Sequence, residues 1–501
     1  MRLGGARRIL LPAAGRTSAD RDDSMAAENI QSLIAATGVE DLERRFEAQR
    51  QAFAGEAYPS LERRRDRLDR LEQALRTHEA EIRHAIAEDF GHRSHDETLL
   101  FEQFMCIEGI RHARSELRKW MRPKRRGVAW WSLPGRAVVT HQPLGVIGVV
   151  VPWNYPLSLA VGPCIPALAA GNRVMIKMSE YTPRIGALFE RLIAGAFDPT
   201  EVTVVNGGVE VARRFTSLPF DHLLFTGSTP VGREVMKSAA ENLTPVTLEL
   251  GGKSPVIVGR DFDIAEAARR IMHGKLANGG QTCIAPDYAL VPAGSVEAFI
   301  AACREATERL YPRLVENLDY TSIINDRHFG RLAGYVDEAS RRGARVHKLH
   351  PDEADPGRRR FSPIALTAVT DDMRVMQEEI FGPILPVVPY DDIGDAIRFV
   401  RQRSHPLALY YFGGGEGRQR VLRETISGGV TVNNTLLHFA QEDLPFGGVG
   451  PSGIGAYHGS EGFRTFSQAK PIYYDSRLSG SALLRPPYGK LFQIVTRLLH
   501  R

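Results

Sequence analysis

Val246-Thr247-Leu248-Glu249-Leu250-Gly251-Gly252-Lys253-Ser254-Pro255 is the stretch whose reading decides how this chain folds. Val246–Glu249 reads as a short buried strand, and the glycine pair beyond it as the turn that ends it. Upstream the same kind of segment recurs at Val146–Val151, Val174–Lys177, Val202–Val205 and His222–Phe225. Helical stretches fall between them, at Pro156–Ala170, Pro183–Ala196, Val209–Phe215 and Val231–Glu241. Apolar strands alternating with helices imply a parallel sheet covered on both faces. Such sheets bind ligands beyond the carboxyl ends of their strands. Asn154, Lys177, Thr226-Gly227-Ser228 and Glu249 all fall at those ends.

Downstream, 283 − 249 = 34 positions on, stands Cys283 in Gly279-Gly280-Gln281-Thr282-Cys283-Ile284-Ala285-Pro286-Asp287-Tyr288. The chain has only four cysteines, and Cys106, Cys164 and Cys303 lie in apolar, helical contexts. A buried cysteine is ordinarily a small hydrophobe. Cys283 differs, because a glycine pair and two polar residues precede it and let its backbone approach a ligand. A thiol there suits a nucleophile, and a carboxylate at a strand end suits a base that activates water. Around Cys283 a second α/β set is expected. Its helices are Ile264–Leu276, Val296–Leu310, Arg327–Arg342 and Asp392–Arg403, and its strands Tyr288–Val291, Ala365–Val369 and Leu385–Pro389.

Bulk properties narrow the function classes. A chain of 501 residues needs two or three domains, and 43% hydrophobic with 25% charged residues is ordinary globular composition. A formal charge of +5 comes without basic blocks interleaved with aromatics, which argues against nucleic acid. Scattered cysteines without a CxxC pair argue against a disulfide framework or a metal site, and for a reducing, cytoplasmic setting. No run of eighteen apolar residues suggests a membrane span.

Leu-Glu-Leu-Gly-Gly-Lys-Ser-Pro followed by Gly-Gln-Thr-Cys-Ile-Ala-Pro-Asp-Tyr resembles the aldehyde dehydrogenase superfamily. Within it the shorter, class 3-like branch and its coniferyl aldehyde dehydrogenases are most similar, from about Leu61 to about Tyr488. The resemblance implies a Rossmann-like parallel-sheet cofactor domain, a second α/β catalytic domain and a small strand-based oligomerisation element. It implies Cys283 as nucleophile, Glu249 as base and Asn154, in Pro152-Trp153-Asn154-Tyr155-Pro156, as oxyanion donor; Asn154 alone would read as a helix cap. Gly227-Ser228-Thr229-Pro230-Val231-Gly232 stands in place of the usual Gly-x-Gly-x-x-Gly, with Gly227, Ser228 and Gly232 at the pyrophosphate of NAD, or of NADP. Lys177 and Glu180 would meet the adenosine ribose, although Met178 departs from the family's usual Lys-Pro-Ser-Glu. Glu379 and Phe381, in Glu378-Glu379-Ile380-Phe381-Gly382-Pro383, would hold the nicotinamide ribose, and Glu379 is a second candidate base. Tyr155 and His438 would line the substrate path. No metal is implied.

The substrate implied is an aromatic, coniferyl-type aldehyde, or alternatively a medium- or long-chain aliphatic one. A coenzyme A-acylating enzyme or a non-catalytic binding protein fits less well, because Glu249, Cys283 and Asn154 are all present. Expected segments are a disordered extension over 1–24, with Met25 a candidate start, and an N-terminal helical part of the cofactor domain over 25–125. Oligomerisation strands follow over 126–142, the NAD-binding core over 143–248, the catalytic domain over 249–455 and an oligomerisation and interdomain segment over 456–485. Arg63-Arg64-Arg65 reads as a solvated helix face, and Trp130-Trp131 as packing for a connector. Arg136–Gln142 and Lys470–Asp475 read as exposed strands that pair across a homodimer. Over 486–501 an amphipathic helix carries Leu491, Ile494, Val495, Leu498 and Leu499 on one side. It is too short to span a membrane, and weak membrane-surface association is secondary to docking on protein.

Overall fold

The structure is a computed structural model that describes residues 37–478 and 485–499. The expected extension over 1–24 and the candidate start at Met25 lie outside the described residues. Strands β1 (Lys124–Arg126) and β2 (Arg136–Pro143) come first. They are followed by β3 (Val146–Val150), β4 (Arg173–Lys177), β5 (Val202–Val205), β6 (His222–Thr226) and β7 (Val246–Glu249). The second half supplies β8 (Pro255–Val258), β9 (Tyr288–Pro292), β10 (Arg345–Lys348), β11 (Ile364–Thr367), β12 (Ile384–Tyr390), β13 (Ala408–Phe412) and β14 (Gly429–Val432). Last come β15 (Gly453–Ile454) and β16 (Ser467–Tyr474).

A six-stranded sheet runs in the order β15-β7-β6-β3-β4-β5, parallel except for β15 against β7. The strand order reverses at β3, and the ends of β3 and β6 lead into Asn154 and into Thr226-Gly227. A seven-stranded sheet runs β10-β11-β12-β9-β8-β13-β14, parallel except for β10 against β11. The α/β architecture expected from the strand-helix alternation is present. Strands β8, β10, β13 and β14 are additional to that reading. β10 is a polar edge strand, and the other three are short apolar runs, which carry no period that separates strand from buried helix.

The helix Ser158–Ala170 fills the space beneath the first sheet. It is apolar all round and buried almost throughout, as a core helix should be. Gly171 ends it at φ +96°, a left-handed C-cap that glycine adopts without strain. The adjoining helix Leu61–Thr77 starts at Ser60, whose hydroxyl accepts from Arg63 N–H at 3.2 Å. It buries Leu68, Leu71 and Leu75, while Ile82 and Ile86 continue the same core from the next helix. The solvated face expected at Arg63-Arg64-Arg65 is corrected at Arg64, which is fully buried. Its guanidinium donates to Pro59 O (3.0 Å), Ala169 O (3.1 Å) and Ala170 O (2.7 Å). It thereby closes the carbonyl end of Ser158–Ala170, where a cation also meets the helix dipole favourably.

A third sheet, β1-β2-β16, stands apart from both. Here the expected free edges are corrected. β2 is the central strand, paired with β1 on one side and with β16 along Ser467–Tyr474 on the other. The two segments expected to meet across subunits therefore pair with each other. Trp130 and Trp131 pack edge to face on one another at 5.9 Å and remain exposed, so they do not pack the connector. Lys490–Leu499 forms the expected terminal helix, with Leu491 and Ile494 exposed. No helix among the described residues is long and apolar enough to cross a membrane.

Candidate active site

Between the two large sheets lies a cleft of about 830 Å³. Asn154, Gly227, Ser228, Glu249, Cys283, Glu379 and Phe381 all line it, so residues spread over more than 200 positions converge on one space. Hydrogen bonds tie the Asn154 turn to the Cys283 loop. Asn154 Nδ2 donates to Gln281 O (3.2 Å), Asn278 Nδ2 donates to Asn154 O (2.9 Å), and Tyr155 Oη pairs with Thr282 Oγ1 (2.8 Å). Asn278, Gly279 and Gly280 have φ of +53°, +61° and +79°. A side chain at Gly280 would collide with the backbone of Gly382, so the loop can lie directly on the Phe381 turn only with glycine there.

Behind Asn154 sits a fully buried ion pair that sequence reading missed. Arg93 Nη1 lies 2.8 Å from Glu102 Oε1 and donates to Asn154 O (3.0 Å), and its guanidinium stacks 4.7 Å over the Tyr155 ring. Glu102 Oε2 accepts the N–H groups of Leu157 (2.7 Å) and Ser158 (3.1 Å) at the start of the core helix. Glu97 accepts from Asn278 N–H (3.0 Å) and Thr321 Oγ1 (2.6 Å). These are positioning residues. No short motif marks them, because each lies more than fifty residues from what it holds.

Glu249 ends β7 with both carboxylate oxygens enclosed and without a protein hydrogen-bond partner. That burial raises its pKa well above 4.5. Glu379 lies over Gly251-Gly252, where a side chain on Gly251 would collide with its carboxylate, and the Gly252 N–H bonds to it. Burial first, and then the Asp287 carboxylate, push Glu379 up to about 8. Lys253 pairs with Asp287 and donates to Val375 O (2.8 Å) and Glu378 O (3.0 Å), fixing the turn that presents Glu379. The Cys283 thiol is pushed up to about 12 by burial and by the Glu379 and Glu249 carboxylates. The N–H groups of Cys283 and Ile284 face its sulfur and pull the other way. The thiol is therefore protonated at rest near neutral pH, and a base must take its proton.

Gly227 leads into the helix Thr229–Ala240, whose first N–H groups face the cleft mouth lined by Gly227, Ser228, Thr229 and Pro230. Gly232 lies inside that helix against Leu250, where a side chain would clash; it sets helix-to-strand distance and does not line the cleft. Lys177 ends β4 and Glu180 follows it, both outside the cleft lining. Lys177 Nζ donates to Met178 O (2.7 Å), and burial pulls its ammonium down to about 8 against the opposing pull of Glu180. Met178 continues the ladder through its N–H to Val205 O (3.0 Å), so the departure from proline leaves the strand end intact. Phe381 adopts φ +50° and packs edge-on to Trp153 at 5.4 Å. His328, Arg331 and Arg403 also line the cleft, from helical and loop segments without motif character. Among the described residues no group of three or more His, Cys, Asp or Glu side chains is placed to hold a metal ion.

A second, narrow crevice of about 30 Å³ is lined by residues that include Cys106, Gly109, Ser158, Phe439, Tyr457 and His458. Tyr155 and His438, expected on the substrate path, are buried beside it, and their chain neighbours Ser158 and Phe439 form its wall. His438 Nδ1 pairs with Thr431 Oγ1 at 2.8 Å, and burial lowers its pKa to about 4.

This arrangement has known counterparts. The chain is 53% identical over 456 residues to a Pseudomonas aeruginosa protein named "Probable coniferyl aldehyde dehydrogenase", covering 91% of this chain and 95% of that protein. The solved structure described as the substrate-bound state of Staphylococcus aureus AldH superposes with a TM-score of 0.87 at 37% identity, covering 91% of this chain and 99% of that one. An aldehyde dehydrogenase of Mycobacterium tuberculosis complexed with NAD+ superposes at 0.79 and 28% identity, covering 89% and 92%. Residues 17–472 match the aldehyde dehydrogenase family as a whole, and with the fold and the convergence of Asn154, Glu249 and Cys283 the chain belongs to that family.

Proposed function

We propose that this enzyme oxidises an aromatic propenal of coniferyl type to the carboxylic acid, with NAD or NADP as hydride acceptor, through a thiohemiacetal and a thioester on Cys283. The single observation that carries the reading is the hydrogen-bonded apposition of the Asn154 turn and the Cys283 loop in one cleft that also holds Glu249. The name of the Pseudomonas aeruginosa relative supports the substrate class.

The residues present fit a dinucleotide. The helix start after Gly227-Ser228 offers unpaired N–H groups to a pyrophosphate, and Thr226 Oγ1 is buried there without a protein partner. When bound, the nicotinamide supplies the hydride acceptor. The Cys283 sulfur gives up its proton to a carboxylate and adds to the carbonyl carbon. Asn154 Nδ2 has two hydrogens and spends one on Gln281 O, which leaves one for the carbonyl oxygen as it becomes negative, beside the Cys283 N–H. Removing such a donor typically raises the barrier by about 3–4 kcal/mol. Loss of hydride from the tetrahedral carbon leaves the thioester. Glu249, ionised, takes a proton from water as that water attacks the thioester and hands it to the departing Cys283 sulfur, so that acid and thiol are released and the carboxylate is restored. Glu379, at about 8 and close enough to raise the Cys283 pKa, is the second candidate base. Lys177 and Glu180 are assigned to the adenosine ribose. The β1-β2-β16 sheet is assigned to dimer assembly and the segments over 143–248 and 249–455 to cofactor binding and catalysis.

The test is a panel of coniferyl aldehyde, cinnamaldehyde, hexanal and decanal, with reduced cofactor followed by absorbance, on the enzyme and on Cys283→Ser. The expected result is preference for the aromatic propenals and loss of turnover in the variant with cofactor binding retained. Near-normal turnover by Cys283→Ser overturns the mechanism, and preference for the alkanals overturns the substrate class.

A further inference from the structure

The helix Asp326–Arg341 starts at Asn325, whose side chain accepts from His328 N–H at 3.0 Å. His328 and Arg331, three positions apart and so on one face of that helix, both line the cleft that holds Cys283. Arg331 Nη1 faces three acceptors: Ile380 O at 2.9 Å, Tyr335 Oη at 3.2 Å and Glu379 O at 3.3 Å. The Tyr335 hydroxyl donates its own hydrogen to Glu378 Oε2 at 2.7 Å, which leaves its lone pairs for Arg331. The guanidinium also stands over the Tyr335 ring at 5.3 Å. On the other side Lys253 takes Glu378 O (3.0 Å) and Asp287 takes the Ile380 N–H (2.9 Å). The carbonyls of Glu378, Glu379 and Ile380 thus end on two cations.

The next residue needs such a hold. Phe381 has φ +50°, a left-handed conformation that is unfavourable for a bulky side chain and persists only where the surroundings fix it. Gly382 then brings the turn against Leu332 of the same helix, where a side chain on the glycine would collide. Two cleft residues ride on this turn. Glu379 lies over Gly251-Gly252. The Phe381 ring packs edge-on to Trp153 at 5.4 Å, and Trp153 leans on His328 at 5.2 Å, one helical turn before Arg331.

We propose that Arg331 is a positioning residue for the cofactor: by holding the Glu379 and Ile380 carbonyls it fixes the turn on which Glu379 and Phe381 meet the nicotinamide ribose. That role rests on the reading that Glu379 and Phe381 hold this ribose, and extends it to a residue outside the motifs that carry them. Arg331 itself makes and breaks no bond with the substrate. A charged donor withdrawn from acceptors of this kind is worth about 10- to 100-fold.

The experiment measures three activities of the full-length enzyme, of Arg331→Met and of Arg331→Lys. The first is kcat/KM for NAD in aldehyde oxidation. The second is inhibition by ADP, which carries the adenosine and pyrophosphate but no nicotinamide ribose. The third is hydrolysis of p-nitrophenyl acetate without cofactor, in which the Cys283 sulfur displaces p-nitrophenolate and water then releases acetate. In Arg331→Met, kcat/KM for NAD is expected to fall by about 10- to 100-fold, while ADP inhibition and ester hydrolysis stay close to those of the unmodified enzyme. Arg331→Lys, which keeps a charged donor on a shorter stem, is expected to lose less. Where Arg331→Met fails to fold, the same split is read on Arg331→Lys, because a variant that hydrolyses the ester is folded. Unchanged kcat/KM for NAD overturns the proposal. Ester hydrolysis falling in step shows a general loss of the site, and ADP inhibition weakening in step shows a direct contact with phosphate; either result overturns it as well. Failure of the underlying reading looks different, because Glu379→Gln would then leave kcat/KM for NAD unchanged.

Discussion

Replacement of Glu249 by glutamine separates the two halves of the reaction. The side chain keeps its shape, and neither oxygen has a protein partner to lose, so the substitution leaves the local packing undisturbed. What is removed is the proposed base. General bases of this kind contribute about 10²- to 10⁴-fold. Steady turnover of Glu249→Gln is therefore expected to fall by that factor, while thiol addition and hydride loss proceed. Mixing enzyme, NAD and aldehyde in a stopped-flow instrument should give a burst of about one reduced cofactor per site, followed by the slow phase. The pH dependence follows from the raised pKa of Glu249. Only the ionised form is a base, so activity limited by thioester hydrolysis rises with pH through that raised value and falls on its acid side. The glutamine variant loses this limb. Stability follows the opposite sign. Between 4.5 and its raised value the folded enzyme holds a proton that the unfolded chain releases, so stability falls as pH rises through that window, and Glu249→Gln escapes the loss. Absence of a burst, with slow hydride loss, would refute the assignment and place Glu249 earlier, at the thiol. An unchanged steady rate would pass the role to Glu379.

Three further outcomes are expected. Glu180→Gln should raise kcat/KM for NADP relative to NAD, because the carboxylate proposed to meet the ribose would repel a 2′-phosphate; equal use of both cofactors by the unmodified enzyme would contradict this. Arg64→Met removes three hydrogen bonds from a charged, fully buried donor and leaves Ala169 and Ala170 carbonyls unpaired, so the urea-unfolding free energy should fall by about 3–5 kcal/mol, and a loss below about 1 kcal/mol would show that water replaces the guanidinium. Light scattering at micromolar concentration should give the mass of a dimer, joined at the outer edges of the β1-β2-β16 sheet; a mass near 55.5 kDa would exclude it.

The sequence carried the first sheet almost residue for residue. Val202–Val205 and Val246–Glu249 match the observed strands, because short β-branched, mostly apolar runs bounded by glycines and helical periods have few alternatives. The cleft residues were legible for a related reason. Asn154, Glu249 and Cys283 sit at strand ends or beside glycines, where local sequence records backbone demands. Arg64 and the Arg93–Glu102 pair were not legible. A buried cation among carbonyls looks, in sequence, like any other charged residue, and the Asn154, Ala169 and Ala170 carbonyls that Arg93 and Arg64 reach lie 61 to 106 positions away. The pairing of β2 with β16 was hidden for the same reason: both segments alternate like edge strands, and nothing local says that they are each other's edge.

The chain leaves the first sheet at Leu250–Ser254 and re-enters it at β15. There Leu250 N–H donates to Ser452 O (3.0 Å) and Gly453 lies opposite Glu249. Outgoing and returning strands thus run side by side, like the two leaves of a hinge at its pin. A group on the pin keeps its distance to both leaves when they part, whereas groups far out along them separate. Glu249 is on the pin, fixed within the first sheet on both sides, whereas Asn154 and Cys283 belong to different leaves and meet only through the hydrogen bonds between their loops, so the apposition of those two residues reports on how the leaves sit and the position of Glu249 does not.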